Sequence, residues 1–294
     1  MSGDGKRLMP TGEAASQAGG EGTCRVRLAV LGDPLRYTRS PDLHRAGCAA
    51  LGVACESDAL RTPVDALAPT LERLAREGYA GCNLTMPLKE EALALVGEAT
   101  AAARRARSVN TIAFRPPPGA SLGDTTDGAG FLDLLSAARR DAATCVVTLL
   151  GAGGSARSLA LALADAGGRP VRVVSRHEPP PGEAWGGSLG ERWAEWRSGA
   201  AARALAVADV VVNCTPLSGS EFPVAIERIA RGSLVVDLTY GEQLTPWVAA
   251  ARAAGLDAVD GLALLVHQAR HSLRRWLGRD VPLEPLLAAV GRSP

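Results

Sequence analysis

The sequence predicts a two-domain α/β protein, each domain built on a largely parallel sheet with helices on both faces. Three observations carry that prediction. Strand-like apolar runs alternate with helix-period patterns along nearly the whole chain. The rhythm breaks at "PPPGASLG" (116–123) and restarts beyond it. A length of 294 residues suits two cores of ordinary size.

Taken in order, residues 1–23 are rich in Gly, Ser, Glu and Ala without periodicity and read as a flexible tail. "CRVRLAVLG" (24–32) reads as a strand closed by a glycine. "SPDLHRAGCAALG" (40–52) reads as a helix capped by Ser40, with Pro41 first and Gly52 at its end. A short strand follows. "TPVDALAPTLERLAREG" (62–78) has helical spacing, with Pro69 set against an uninterrupted helix. "AGCNLT" (80–85) predicts a strand, "PLKEEALALV" (87–96) a helix opening on proline, and "SVNTIAFR" (108–115) a strand. Past the break, "FLDLLSAARR" (131–140) predicts a helix and "CVVTLL" (145–150) a buried strand. A glycine turn leads into the helix "ARSLALALADAG", then the strand "VRVVS" (171–175). Residues 176–200, rich in Pro, Gly and Trp, resist assignment. "ADVVVNC" (208–214), "SLVVDLT" (233–239) and "LDAVDG" (256–261) supply strands. "LALLVHQARHSLRRWLG" and "PLEPLLAAV" close the chain as helices.

Composition narrows the function. Apolar residues make up 47% and charged ones 21%, as in a globular protein, and the formal net charge is +1. That balance gives no electrostatic reason to expect nucleic acid or an anionic membrane as partner. No apolar run reaches bilayer length and the N-terminus lacks a signal-peptide core, so the expectation is a cytoplasmic protein. Cys24, Cys48, Cys55, Cys82, Cys145 and Cys214 are scattered without a CxxC pair. They read as reduced thiols rather than a disulfide frame or zinc site. His267 and His271 share a helix face but lack a third ligand, so no metal is expected there.

The glycine turn is the strongest local signal. Gly151, Gly153 and Ala156 form G-x-G-x-x-A between a buried strand and a helix. The first glycine permits the turn, the second admits a pyrophosphate to the backbone, and the small third residue lets helix meet strand. Where an NAD site carries an acid, about twenty residues on, this chain has Ser175-Arg176-His177. A guanidinium and a hydroxyl suit a 2′-phosphate, so the expected cofactor is NADP.

In the first half, "YTRSP" (37–41), "NLTMPLK" (83–89) and "SVNT" (108–111) place polar residues where strands meet helices, and "GDTTDGAGF" (123–131) follows. Singly, each has a plain reading: Ser40 as a cap, Lys89 on a solvated turn, Asp127-Gly128 as a turn. Together they resemble the shikimate dehydrogenase family. "VLGDPLRYTRSPDLH" is similar to its G-x-P…S-x-S-P-x-x-H, "NLTMPLK" to N-V-T-x-P-x-K, "SVNT" to A-V-N-T and "TTDGAG" to N-T-D-G-x-G. Further on, "GAGGSAR" is similar to G-A-G-G-A-x-R, "NCTP" to N-A-T-P, "DLTYGEQLTP" to D-x-x-Y before a T-P helix, and "GLALLVHQ" to G-x-x-M-L-x-x-Q.

The resemblance implies a substrate domain over 24–127, completed by 262–294, and a Rossmann-like NADP domain over 128–261. The active site would lie in the cleft between them. It implies reversible hydride transfer between NADPH and C3 of 3-dehydroshikimate, with Lys89 and Asp127 as the acid–base pair. It assigns the substrate carboxylate to Thr38, Ser40 and Tyr240, and the ring hydroxyls to Thr85, Asn110 and Gln268. Cofactor contacts fall on Gly151, Ala152, Gly153, Gly154, Ser155, Ser175, Arg176, Asn213, Thr215 and Gly261. No metal is implied, and the chain would work as a monomer or homodimer. Departures from the family pattern are Tyr37 and Thr38 for histidine and serine, Thr125 for asparagine, and Glu178-Pro179-Pro180 where a second basic residue is common. The first three bear on substrate choice, which leaves a quinate or aminoshikimate dehydrogenase, possibly using NAD, as the alternative. A non-catalytic nucleotide sensor would not be expected to keep Lys89 and Asp127 in their motifs.

Overall fold

The computed structural model describes residues 25–117, 119–217 and 224–292; the expected tail over 1–23 lies outside them. Two six-stranded sheets form, one from each half of the chain.

The second sheet contains β7 (Val147–Leu150), β8 (Arg172–Ser175), β9 (Trp193–Glu195), β10 (Val210–Asn213), β11 (Leu234–Asp237) and β12 (Asp257–Val259). Its spatial order is β12-β11-β10-β7-β8-β9, and every pairing is parallel. Counted from its first strand, this is the 3-2-1-4-5-6 order of a Rossmann sheet. The strands are short and apolar because both faces are covered. Leu149, Val173, Val210, Val212 and Val236 face one buried cluster, and Leu150, Val174, Val211 and Val235 the other. In the unassigned stretch 176–200 the structure places β9. The helix α6 (Gly199–Ala206), capped by Ser198, follows it.

The first sheet is largely parallel, with one antiparallel strand inserted. It comprises β1 (Arg25–Gly32), β2 (Ala54–Arg61), β3 (Gly81–Leu84), β4 (Glu98–Ala99), β5 (Thr111–Arg115) and β6 (Ala120–Asp124), in the order β2-β1-β3-β5-β6-β4. β5 runs antiparallel to both β3 and β6. The "PPPGASLG" break is therefore a hairpin inside this sheet, and the chain leaves for the second sheet only after Asp124.

Helices also depart from expectation in ways that matter for the site. α1 (Ser40–Ala50) begins on Ser40, so Ser40 is not its cap; its backbone N–H instead donates to Thr38 Oγ1 at 3.2 Å. Residues 64–66 form a 3₁₀ turn before α2 (Leu67–Arg76), which tolerates Pro69 in its first turn, where no backbone donor is lost. Residues 87–96 are not an α-helix: tight turns lead into one 3₁₀ turn at 91–94. α3 (Ala101–Ala106), capped by Thr100, was not foreseen. α4 spans Asp127–Ala137, so it opens on Asp127 rather than at 131.

α5 (Gly154–Asp165) follows the glycine turn, and α7 (Pro246–Ala253) is capped by Thr245. α8 (Gly261–Leu277) and α9 (Leu283–Ala289) pack on α1. Leu28, Leu43, Val266, Leu273 and Leu286 share one buried cluster there, so the chain's end completes the first sheet's core. α4 runs between α5 and α8. A Cβ on Gly128 would strike Ser158 O, and one on Gly130 would lie 2.6 Å from Gln268 N, so the two glycines of "DGAG" are demanded by close helix approach. No helix among the described residues is long and apolar enough to cross a membrane.

Candidate active site

A cavity of about 270 Å³ opens between the carboxyl ends of the two sheets' strands. It is lined by Thr38, Ser40, Thr85, Tyr240 and Gln268 with Lys89, Asp127, Ser155, Thr215 and Gly261. Those ten expected site residues thus converge from both halves of the sequence. Lys89 and Asp127 are the charged residues in the described lining.

The pair is built by the chain's local turns. Lys89 leaves the turn after β3, and Asp127 opens α4, where a carboxylate suits the helix's positive end. Lys89 Nζ lies 2.5 Å from Asp127 Oδ2, with Asp127 1% exposed and the lysine side chain 16% exposed. Asp127 Oδ1 accepts from Asn110 Nδ2 at 2.6 Å. Ser155 Oγ joins both partners, 3.0 Å from Lys89 Nζ and 2.9 Å from Asp127 Oδ2. The carboxylate is thereby fully hydrogen-bonded, as a buried charge requires.

Behind the pair runs a buried polar network that sequence reasoning did not resolve. Asn110, expected at the substrate, is 1% exposed and has its amide on Thr126, Asp127 and Gln268. Asn83 Nδ2 donates to Asn110 O, Thr111 Oγ1 and Ser272 Oγ. Asn83 Oδ1 accepts from His44 Nε2 at 2.9 Å, which leaves His44 Nδ1 to accept from Ser57 Oγ at 2.8 Å. Burial pushes His44 down to about 4, so the imidazole is neutral. The histidine of "SPDLH" therefore braces the asparagine of "NLT", a pairing visible only once the fold joins them. Gly32 matters for a related reason: any Cβ there would strike Thr85 Cγ2.

At the opposite end, Tyr240 packs edge-on against Tyr37, with ring centroids 5.9 Å apart. Burial raises the Tyr240 phenol, keeping it a neutral donor. Thr125 lies outside this cavity. Its hydroxyl meets Ser158 Oγ on α5 at 2.8 Å, so that departure concerns helix contact rather than the substrate wall.

The glycine turn meets its structural requirements. Gly151 has φ +100°, and a Cβ there would sit 2.8 Å from Thr215 Cγ2. Gly153 is exposed, with nothing within 4 Å of an added Cβ, which leaves an open cradle. Ala156 is fully buried against the sheet. Arg157 fastens the turn to the first domain, donating to Ala106 O at 2.7 Å and pairing with Glu90 at 2.9 Å. Arg176 is exposed at the end of β8 and lies over the Trp196 ring at 5.5 Å. Two expected cofactor side chains are engaged elsewhere. Ser175 Oγ donates to His177 O, and Asn213 is buried between Asp237, Thr215 and Leu217. Away from the cleft, His271 bonds Asp133 at 2.8 Å and His267 is buried.

A Rossmann sheet presenting a glycine turn to a cleft, with a lysine–aspartate pair on the facing domain, defines a two-domain dinucleotide-binding oxidoreductase. The comparisons with known proteins make that class specific. Residues 30–112 match the family model described as the shikimate dehydrogenase substrate binding domain. The chain is 40% identical to the shikimate dehydrogenase (NADP(+)) of Gluconobacter oxydans, covering 85% of this chain and 90% of that protein. It is 39% identical to that of Acidiphilium cryptum, over 86% and 91%. Among solved structures, the Thermus thermophilus shikimate 5-dehydrogenase in complex with NADP(H) and shikimate is similar, with 31% identity and a TM-score of 0.76 over 90% of this chain and 98% of that one. The chain belongs to the shikimate dehydrogenase family.

Proposed function

We propose that this protein interconverts 3-dehydroshikimate and shikimate, with NADP as its nicotinamide partner. The observation that carries the reading is the Lys89–Asp127 pair, set as the described cavity's only charges opposite the glycine turn. Family membership and the shikimate dehydrogenase relatives support it. We assign substrate binding to 24–127 with 262–294, and NADP binding to 128–261.

When bound, NADPH supplies the hydride that C3 of the substrate receives. The carbonyl oxygen then gains negative charge, and Lys89 answers it with an ammonium N–H and a proton. Asp127, itself buried, holds that ammonium in place and keeps its charge compensated. In the oxidative direction, Lys89 would accept the hydroxyl proton as the C3 hydrogen leaves as hydride for the oxidised nicotinamide. The lysine itself is informative: this chain has two lysines, Lys6 and Lys89, against thirty arginines, 32 basic residues in all. A guanidinium holds its proton throughout the working pH range and could not perform this exchange.

Thr38, Ser40 and Tyr240 supply neutral hydroxyls for the substrate carboxylate, while Thr85 and Gln268 reach the ring hydroxyls. Asn110 serves this site through Asp127 and Gln268. Gly151 to Ser155 and Thr215 would hold the cofactor's pyrophosphate and ribose, fitting the open space over Gly153, and Arg176 the 2′-phosphate. Gly261 admits α8 to the cleft floor, where a Cβ would strike Leu238 O. Ser175 and Asn213 shape the cofactor loops through their internal bonds.

The test is purified protein with NADP or NAD and shikimate, quinate or aminoshikimate, followed by nicotinamide absorbance. Shikimate with NADP should turn over fastest. Preference for quinate or for NAD would replace this reading with the alternative paralogue.

A further inference from the structure

We infer that Ser155 is a positioning residue for the Lys89–Asp127 pair, so that the turn expected to carry the cofactor also aims the proton donor. This deepens the functional reading above and rests on it.

Ser155 is the second residue of α5, and its backbone belongs to the glycine turn. Its side chain points away from that turn, across the cleft. The resembled motif G-A-G-G-A-x-R has alanine here, which offers the pair nothing; the serine of "GAGGSAR" offers an oxygen that is both donor and acceptor. That oxygen closes a triangle. It accepts from Lys89 Nζ at 3.0 Å and donates to Asp127 Oδ2 at 2.9 Å, while the ammonium and carboxylate meet directly.

An ammonium has three N–H bonds. Two are committed here, one to Asp127 and one to Ser155, so the third has a defined direction into the cavity. Without the serine oxygen, the ammonium pivots on its single contact with Asp127. Asn110 steadies the carboxylate's other oxygen but does not reach Lys89. Arg157, two residues along the same helix, anchors α5 to the first domain, which makes Ser155's placement firm.

Three variants test this: Ser155→Ala, and the matched pair Ser155→Thr and Ser155→Val, which differ in the hydroxyl but hardly in shape. Removing one charge-assisted hydrogen bond used in the transition state should lower kcat about tenfold in the Ala and Val variants, with KM for shikimate and NADP within about twofold. The Thr variant should recover most of the rate. A second readout needs no turnover. Because Lys6 and Lys89 are the chain's two lysines, reductive methylation read by peptide mass spectrometry reports Lys89 directly. Lys89 should label several-fold faster in the Ala and Val variants than in wild type or Thr. Equal labelling across all four proteins overturns the inference, as does a loss confined to the KM for NADP. If the wild type oxidises no shikimate, the functional reading fails, and the labelling comparison still decides the role of Ser155.

Discussion

On the substrate side of the cleft, the side chains that shape the site are committed to one another. Asn83, Asn110, Thr111, Thr126 and Asp127 are all under 10% exposed and joined by hydrogen bonds. On the cofactor side, Gly153 and Arg176 are exposed, and Arg176 lies over an aromatic ring. The first wall is pre-organised, so changing one member leaves buried partners unpaired and costs a great deal. The second can be altered at small cost to the fold. Chemistry should therefore be brittle in this protein and cofactor choice malleable.

The sharpest break of that contrast is Lys89→Arg. The charge, and the ion pair with Asp127, are kept, but the exchangeable proton is lost. kcat should fall by about 10²–10⁴, as for a positioned acid or base, with KM for shikimate little changed. Retained kcat in the arginine variant would remove Lys89 from proton transfer and reduce the pair to a structural ion pair.

Next is the brace itself. His44 is depressed from 6.5 in the unfolded chain to about 4 in the fold, because burial disfavours its charged form. Its contribution is present above pH 6.5 and lost as pH falls toward 4, since protons then bind the unfolded state first. That stability is worth on the order of 3 kcal/mol. Chemical denaturation of wild type should weaken across this window, and the slope should flatten in His44→Gln. His267 is lowered by burial too, so a residual slope is expected in the variant. Parallel wild-type and variant slopes would show that His44 does not govern the substrate wall's acid response.

These two predictions rest on features the sequence exposes unequally. The second sheet was readable because strands buried on both faces are unbroken apolar runs, such as Val210–Val212 and Leu234–Val236. The first sheet is harder to read where β6 pairs antiparallel: "ASLGD" is short, half polar and contains glycine. α3, "AAARRA", has no apolar stripe to announce it. Motif positions located Lys89, Asp127 and the glycine turn, but spacing carries no side-chain direction. Hence Asn110, Asn213 and Ser175 were expected to face ligands, and the structure turns them onto neighbours. Ser155 was expected at the cofactor and its hydroxyl faces the acid–base pair.

On the malleable wall, Arg176→Asp sets a carboxylate where a 2′-phosphate is proposed to lie. NADP binding should weaken about tenfold to a hundredfold more than NAD binding, and melting temperature should barely move because the side chain is exposed. Equal loss for both cofactors would make the Trp196 contact structural, with the phosphate read elsewhere.

Thr38 sits where the two walls' logics meet. Its Oγ1 accepts from the Ser40 N–H, and the neighbouring Tyr37 ring packs on Tyr240, so the hydroxyl's place is set. What threonine adds to the serine of the resembled motif is a branched Cβ, which fixes χ1 and puts a methyl beside the proposed carboxylate subsite. Quinate differs from shikimate at that end, with a saturated carbon bearing an extra hydroxyl. Thr38→Ser keeps the hydrogen bond and removes only the methyl. A methyl-sized change in a pocket is worth about 1–3 kcal/mol, so the ratio of kcat/KM for shikimate over quinate should shift by roughly tenfold to a hundredfold. Stability should change little, because the residue is only partly buried. An unchanged ratio would mean that the methyl faces no substrate atom, and that selectivity at this end belongs to Tyr37 and Tyr240.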